Sequence, residues 1–129
     1  MCHQTVSLVS RHLEENGIPT VVVANARDIV EHCGVARLYF TDFPLGSPIG
    51  EPFNADMQRQ VIAGALDLLE SASGARTTVE APFTWSKGEA WKEKVFSAEQ
   101  PWKEKGGQAE KEWLAKKELY RKLKEEGKI

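Results

Sequence analysis

Pro19-Thr-Val-Val-Val-Ala24 is the stretch that decides the fold of this 129-residue chain. Three consecutive valines and the absence of charge suit a strand that is buried on both faces, as in a parallel sheet. A second strand is predicted over residues 36–41 (ARLYFT), and a last short one over residues 77–79. The chain is long enough for one domain with a single hydrophobic core.

A helix is predicted on the amino-terminal side of this strand, from Cys2 to Asn16. Val6, Val9 and Leu13 recur at helical spacing, which predicts an amphipathic helix whose apolar stripe faces the core. The remaining side is filled by charged and polar residues, and Gly17 supplies a left-handed stop at the end.

Two more helices are predicted between the strands. The first covers about Ala26 to Cys33 and ends at Gly34. The second is the longest helix of the core, with Asn54 as its N-cap and Gly74 at its end. Its apolar residues form one stripe with a widened border, which consists of Met57, Val61, Ala65 and Leu68 together with Ile62, Leu66 and Leu69.

The order of these elements is helix, strand, helix, strand, helix, strand. It predicts an α/β fold with a small, open, mostly parallel sheet and crossover helices, comparable to half of a Rossmann fold. Open sheets of this kind normally begin with a strand, whereas this chain begins on a helix. We therefore expect the first strand of the sheet to be missing from the chain, and to lie on another subunit or in sequence outside it.

The charges divide the chain into two domains. Residues 1–85 carry five arginines, no lysine and ten acids, and residues 86–129 carry twelve basic and nine acidic residues. This shift predicts an α/β domain over 1–85 and a charged tail over 86–129, with an amphipathic helix over about 108–126. The tail tryptophans are expected either to pack on the core or to contact a partner.

Composition excludes several classes of protein. A net charge of -2 argues against nucleic acid as a partner, and no apolar run approaches the ~20 residues that cross a membrane. Two cysteines do not make a disulfide framework, so a reducing, cytoplasmic setting is expected. The chain has no dinucleotide fingerprint, P-loop or metal-ligand spacing, and no cofactor is expected.

Cys2 is the main candidate for chemistry. It lies in the first turn of a predicted helix, where unpaired N–H groups and the helix dipole favour a thiolate, and His3 beside it can give or take a proton. The alternative is a flexible, inert cysteine near the chain start. Cys33 lies at a helix C-terminus, where the dipole disfavours a thiolate, so it is interpreted as a small buried hydrophobic residue.

The loop after the second strand is the candidate for substrate binding. It begins with Asp42, Phe43, Pro44, Leu45 and Gly46. Loops at the carboxyl ends of parallel strands often hold ligands, and Asp42 could bind a substrate amine or orient an acid or base. The alternative is a turn, rich in proline and glycine, that leads only into the next helix.

Taken together, three short segments resemble a known family. They are Glu-Asn-Gly-Ile-Pro-Thr-Val-Val (15–22), Gly-Val-Ala-Arg (34–37) and Phe-Pro-Leu-Gly (43–46), and they follow a cysteine at a helix start. This layout, over about residues 2–70, resembles the C-terminal part of the selenoprotein B component of glycine, sarcosine and betaine reductases, and the related D-proline reductase. In that family a selenocysteine precedes a cysteine by three residues. Cys2 matches the second member, and the first has no counterpart here.

The resemblance implies reductive cleavage of a small amine or amino acid. It also implies a thiol or selenoprotein partner for electron transfer and a homo- or hetero-oligomeric assembly. The alternatives are a non-catalytic interaction module that assembles through its tail, and a binder that keeps the pocket without the chemistry.

Overall fold

The computed structural model describes residues 2–96 and, within the tail, Lys111, Ala115, Glu118, Arg121, Lys122 and Glu125. The chain divides into two compact units, Met1–Gly88 and Glu89–Ile129.

The first unit alternates helices and strands. Their bounds are α1 (Cys2–Glu15), β1 (Val22–Ala24), α2 (Arg27–Cys33), β2 (Arg37–Phe40), α3 (Ala55–Ser71) and β3 (Thr77–Glu80). The three strands form one sheet in the order β1-β2-β3, and both neighbouring pairs are parallel, with Leu38 opposite Val22 on one side and Thr78 on the other. The prediction of a small, open, parallel α/β sheet is therefore confirmed. The first strand is shorter than predicted: it covers Val22–Ala24 instead of residues 19–24.

Helices cover both faces of the sheet. Val22, Ala24 and Leu38 point to one face, where they pack with Val30 of α2. Alternate residues of the same strands point to the other face, because side chains alternate along a strand. There Tyr39 packs against α3 through its buried residues, which are Val61, Ala65 and Leu68. This double coverage explains why the sequence of β1 is apolar without alternation.

The orientation of α1 differs from the prediction. The buried residues of α1 are Ser7 and Ser10, whereas Val6 and Val9 are 44% and 51% exposed. Ser7 Oγ donates to the main-chain oxygen of His3 (2.6 Å), and Ser10 Oγ lies 2.6 Å from Thr20 Oγ1. The two serine hydroxyls on the buried side of α1 are therefore hydrogen-bonded. The apolar stripe, which was predicted to face the core, lies next to that buried side.

Helix α3 follows the predicted stripe more closely. Asn54 caps it by accepting the N–H of Met57 at 3.1 Å, as predicted. The predicted widening of the stripe is wrong at Ile62 and Leu66, which are exposed. The helix ends at Ser71, because Ala72 is extended, and not at Gly74.

The second unit begins with α4 (Ala90–Phe96). Lys92 Nζ lies 3.0 Å from Glu89 Oε1 and 5.7 Å from the centre of the Trp91 ring. Each of the six described tail residues is helical. The rest of the predicted helix over 108–126, including Trp113 and Tyr120, lies outside the described residues.

Candidate functional site

Cys2 lies at the start of α1 and is exposed. Its sulfur is 3.6 Å from His3 Nδ1, a distance within hydrogen-bond range for sulfur. The first N–H groups of a helix have no partner within the helix. The arrangement gives a solvent-accessible thiol with a neighbouring acid–base group. The roles predicted for Cys2 and His3 remain predictions.

The residues of the predicted substrate loop differ in environment. Phe43 is buried and packs against the ring of Trp85, with ring centres 5.4 Å apart. Ser47 N–H donates to Pro44 O (3.0 Å), and Gly46 takes φ +96°, as the third position of a type II turn requires. Leu45, at the turn, is exposed, and Asp42 is half-buried. Phe43 therefore anchors the loop, which presents Leu45 to solvent.

The carboxyl ends of β1 and β2 are joined by side-chain hydrogen bonds. Asn25 follows β1 directly, and its Nδ2 donates to Thr41 O (3.1 Å) and Thr41 Oγ1 (3.2 Å). The Thr41 hydroxyl in turn donates to Pro48 O (2.8 Å) and so holds the loop after β2 against the sheet. The sequence analysis did not single out Asn25. Its position after a buried strand was the available signal.

A polar cluster joins α1 to the amino ends of the strands. Glu14 Oε1 accepts from Arg37 Nη1 (2.8 Å) and from the main-chain N–H (2.5 Å) and hydroxyl (3.0 Å) of Thr20. Burial alone would raise the pKa of Glu14, but the hydrogen bonds from Thr20 and the Arg37 guanidinium outweigh it and lower the pKa. Thr20 and Arg37 belong to two of the segments that carry the family resemblance. Both residues therefore support the architecture at this end of the sheet.

Two concave regions border α2. One has a volume of about 420 Å³, between α1 and α2, and is lined by Gln4, Asp28, Ile29, His32 and Cys33. The other, of about 220 Å³, is lined by Glu31, Val35, Arg76 and Thr78. Neither is lined by Cys2, His3 or residues 42–46. Cys33 is half-buried rather than fully enclosed as predicted, and Arg11 Nη1 donates to its main-chain oxygen (3.2 Å).

Within the described residues, no three of the His, Cys, Asp and Glu side chains could hold a metal ion together. The described helices include none that is long and apolar enough to cross a membrane.

Comparison with known proteins gives one informative similarity. The chain is 32% identical over 84 residues to D-proline reductase subunit gamma of Acetoanaerobium sticklandii. The match covers 65% of this chain and 35% of the relative, so the chain spans about a third of that protein's length. No family model matches the chain. No solved structure matches it either.

This similarity supports a relation to the reductase family and agrees with the resemblance inferred from the short segments. The relative is named as a subunit, which indicates that it works in an assembly of several components.

Proposed function

We propose that this chain is a subunit, or part of a subunit, of a thiol-dependent reductase related to the D-proline and glycine/betaine reductases. The observation that carries the proposal is the 32% identity with D-proline reductase subunit gamma. The exposed thiol of Cys2 at the start of α1, with His3 beside it, is the described group best suited to such chemistry. Its correspondence to the cysteine of a selenoprotein B component is part of this proposal.

The proposed reaction is reductive cleavage of a C–N bond in a small amine or amino acid. The Cys2 thiolate attacks the carbon, an S–C bond forms, the C–N bond breaks and the amine leaves with a proton. A thiolate or selenolate of a partner protein then attacks the Cys2 sulfur. The carbon fragment leaves with the electron pair and takes up a proton. In this proposal His3, whose Nδ1 lies 3.6 Å from the Cys2 sulfur, delivers or accepts these protons.

The proposed substrate contacts come from Asp42, Phe43, Pro44, Leu45 and Gly46. They follow β2 at the carboxyl edge of the sheet, where parallel sheets bind ligands. Asp42 supplies a carboxylate for a substrate ammonium group. Buried Phe43 fixes the loop, and Leu45 offers an exposed apolar contact.

We further propose that the sheet is completed by one more strand next to β1, which would make the fold a Rossmann-like half. β1 is an edge strand of the described sheet. Around α1, Arg11 and Gln4 mark the side toward α2, and Ser10, bonded to Thr20, marks the side toward β1. Each residue of a helix is rotated by about 100° from the one before it. The stripe of Val6 and Val9 is therefore the next side around α1 after Ser10, and it faces beyond β1.

The stripe of Val6 and Val9 therefore lies where it could cover an added strand. The proposed source of that strand is another subunit of a cytoplasmic assembly, or sequence outside the given chain. The domain division at residue 85, with the charged tail as a partner-binding segment, belongs to the same proposal.

Competitive alkylation at neutral pH tests the role of Cys2. We expect iodoacetamide to label Cys2 faster than Cys33, since the Cys2 thiol is exposed and lies at a helix start. The Cys2→Ser and Cys33→Ser variants assign the two rates. Equal, slow labelling of both thiols would contradict the proposed chemistry.

The exposed apolar residues favour a second candidate function, a non-catalytic interaction module. Phe53 is fully exposed with φ +62°, and Leu45, Val6 and Val9 are exposed as well. Exposed apolar side chains of this size are candidates for contact with a partner. This candidate predicts that Cys2→Ser leaves the function of the assembly unchanged, whereas Phe53→Ser weakens association. The reductase proposal predicts loss of reduction in Cys2→Ser with assembly intact.

A further inference from the structure

The connections after β1 and β2 leave the sheet toward opposite faces. The chain passes from β1 into α2, which packs on the face of Val22 and Leu38. It passes from β2 through a loop into α3, which packs on the opposite face with Tyr39. Where neighbouring connections diverge at the carboxyl edge, open α/β sheets have room for a ligand. Asn25 and Thr41 lie at that point, one after each strand.

Asn25 carries an unsatisfied acceptor at this point. Its Nδ2 donates to Thr41 O and Thr41 Oγ1, which fixes the orientation of the amide and leaves Oδ1 as its acceptor atom. Oδ1 is shielded from solvent and has no hydrogen-bond partner among the described residues. A shielded acceptor without a donor is unfavourable, so a molecule that brings an N–H to it gains a hydrogen bond that the described residues do not supply.

We propose that Asn25 Oδ1 recognises an N–H group of the substrate, at a subsite between the carboxyl ends of β1 and β2. The inference rests on the proposed function and adds a specificity-determining residue to it. The ligand class is a small primary or secondary ammonium compound, whose charge suits the carboxylate of Asp42 in the adjoining loop. Access requires a displacement of the loop over residues 42–50, which the bond from Thr41 Oγ1 to Pro48 O holds in place.

The subsite distinguishes amines by their N–H groups. D-Proline and sarcosine, as secondary ammonium compounds, carry N–H donors, whereas betaine is quaternary and carries none. All three compounds are of similar size and carry one ammonium charge and one carboxylate. Tighter binding of D-proline and sarcosine than of betaine therefore measures the contribution of the Asn25 Oδ1 acceptor and not that of the charge.

The test titrates the full chain carrying Cys2→Ser with each of these three compounds and follows the side-chain amide signal of Asn25 by NMR. We expect D-proline or sarcosine to shift this signal and betaine to leave it unchanged. Asn25→Ala is expected to weaken binding about tenfold, the effect of one hydrogen bond. The matched control is Asn16→Ala at the end of α1, where Asn16 Nδ2 donates to His12 O (2.8 Å), and binding is unchanged.

An unshifted Asn25 signal, equal binding of betaine, or unchanged affinity in Asn25→Ala overturns the inference. If Asn25→Ala does not fold, the titration of the Cys2→Ser chain with the three compounds decides. Because binding is measured without the Cys2 thiol, its failure is separate from that of the reductase proposal. Slow alkylation of Cys2 with intact binding removes only the chemistry.

Discussion

Arg37 Nη1 lies 2.8 Å from Glu14 Oε1 and joins the last turn of α1 to the first residue of β2. Both side chains are largely shielded from solvent. The same Arg37 nitrogen also donates to Thr20 O (3.3 Å). The pair therefore fixes α1 against the amino edge of the sheet, and it determines which side of α1 is turned inward.

The contribution of Glu14 to stability should depend on pH. Glu14→Gln removes the charge that Thr20 and Arg37 stabilise, and we expect the free energy of unfolding at pH 7 to fall by about 1 kcal/mol. The pKa of Glu14 is below its usual 4.5 in the folded chain. Its contribution is therefore complete above the unfolded-state pKa and is lost as the pH falls through the folded-state value.

Urea unfolding at pH 7 and at pH 3 checks this prediction. The difference between wild type and Glu14→Gln should shrink at the lower pH. Glu15→Gln, on the exposed neighbouring residue, serves as control and should have little effect at either pH. A difference that persists unchanged at pH 3 would show that Glu14 acts by packing rather than by charge.

The inward side of α1 can be tested by paired substitutions. Ser7 has no exposed surface, so Ser7→Asp buries a charge, and we expect a loss of about 3 kcal/mol or more in unfolding free energy. Val9→Asp changes a half-exposed position and should cost less than about 1 kcal/mol in the isolated chain. Thermal unfolding at one protein concentration compares them. The reverse order would restore the orientation predicted from the valine stripe.

Gly64 allows α3 to approach β2 closely. A Cβ at Gly64 would overlap Tyr39 Oη, and Tyr39 is almost fully buried. Its pKa is raised, first by burial and then by the charge of Asp67. Alanine in a helix interior normally gains about 1 kcal/mol over glycine, but here we expect Gly64→Ala to lose about 1–3 kcal/mol through overpacking.

Denaturant unfolding of Gly64→Ala, alone and with Tyr39→Phe, tests this close approach. Removing Oη takes away the atom nearest the added methyl group, so the double variant should lose less than the sum of the two single variants. Gly74→Ala, where an added Cβ meets nothing within 4 Å, is the control for a general effect of alanine. Additive losses would argue against a contact between these residues.

Asn54 determines where α3 begins. Its side chain accepts the N–H of Met57 (3.1 Å), and Asn54→Ala should lower the free energy of unfolding by about 1 kcal/mol. Asn54→Ser retains a capping oxygen and should recover most of that loss. Equal destabilisation by both variants, measured in urea, would indicate a role other than capping.

Local signals predicted much of this fold. The valine run gave β1, Asn54 capped α3, and Gly34 ends α2 in the left-handed conformation with φ +76°. The parallel direction of the strands followed from the alternation of elements, because parallel strands need crossover connections. Each of these features is set by residues that are close together in the chain, so a single sequence is enough to predict it. The position of Cys2 at a helix start was also predicted from the sequence.

Other features were decided by tertiary contacts. The spacing of Val6 and Val9 shows that α1 has an apolar stripe, but not whether the described chain covers it. Ser10 faces inward because its hydroxyl forms a hydrogen bond with Thr20. Glu14 faces inward because it accepts a hydrogen bond from Arg37, which lies 23 residues further along the chain. The same holds for Asn25, whose importance depends on Thr41 in the neighbouring strand's connection. Periodicity describes one helix or strand, whereas burial and hydrogen bonding are set by what the rest of the chain brings against it.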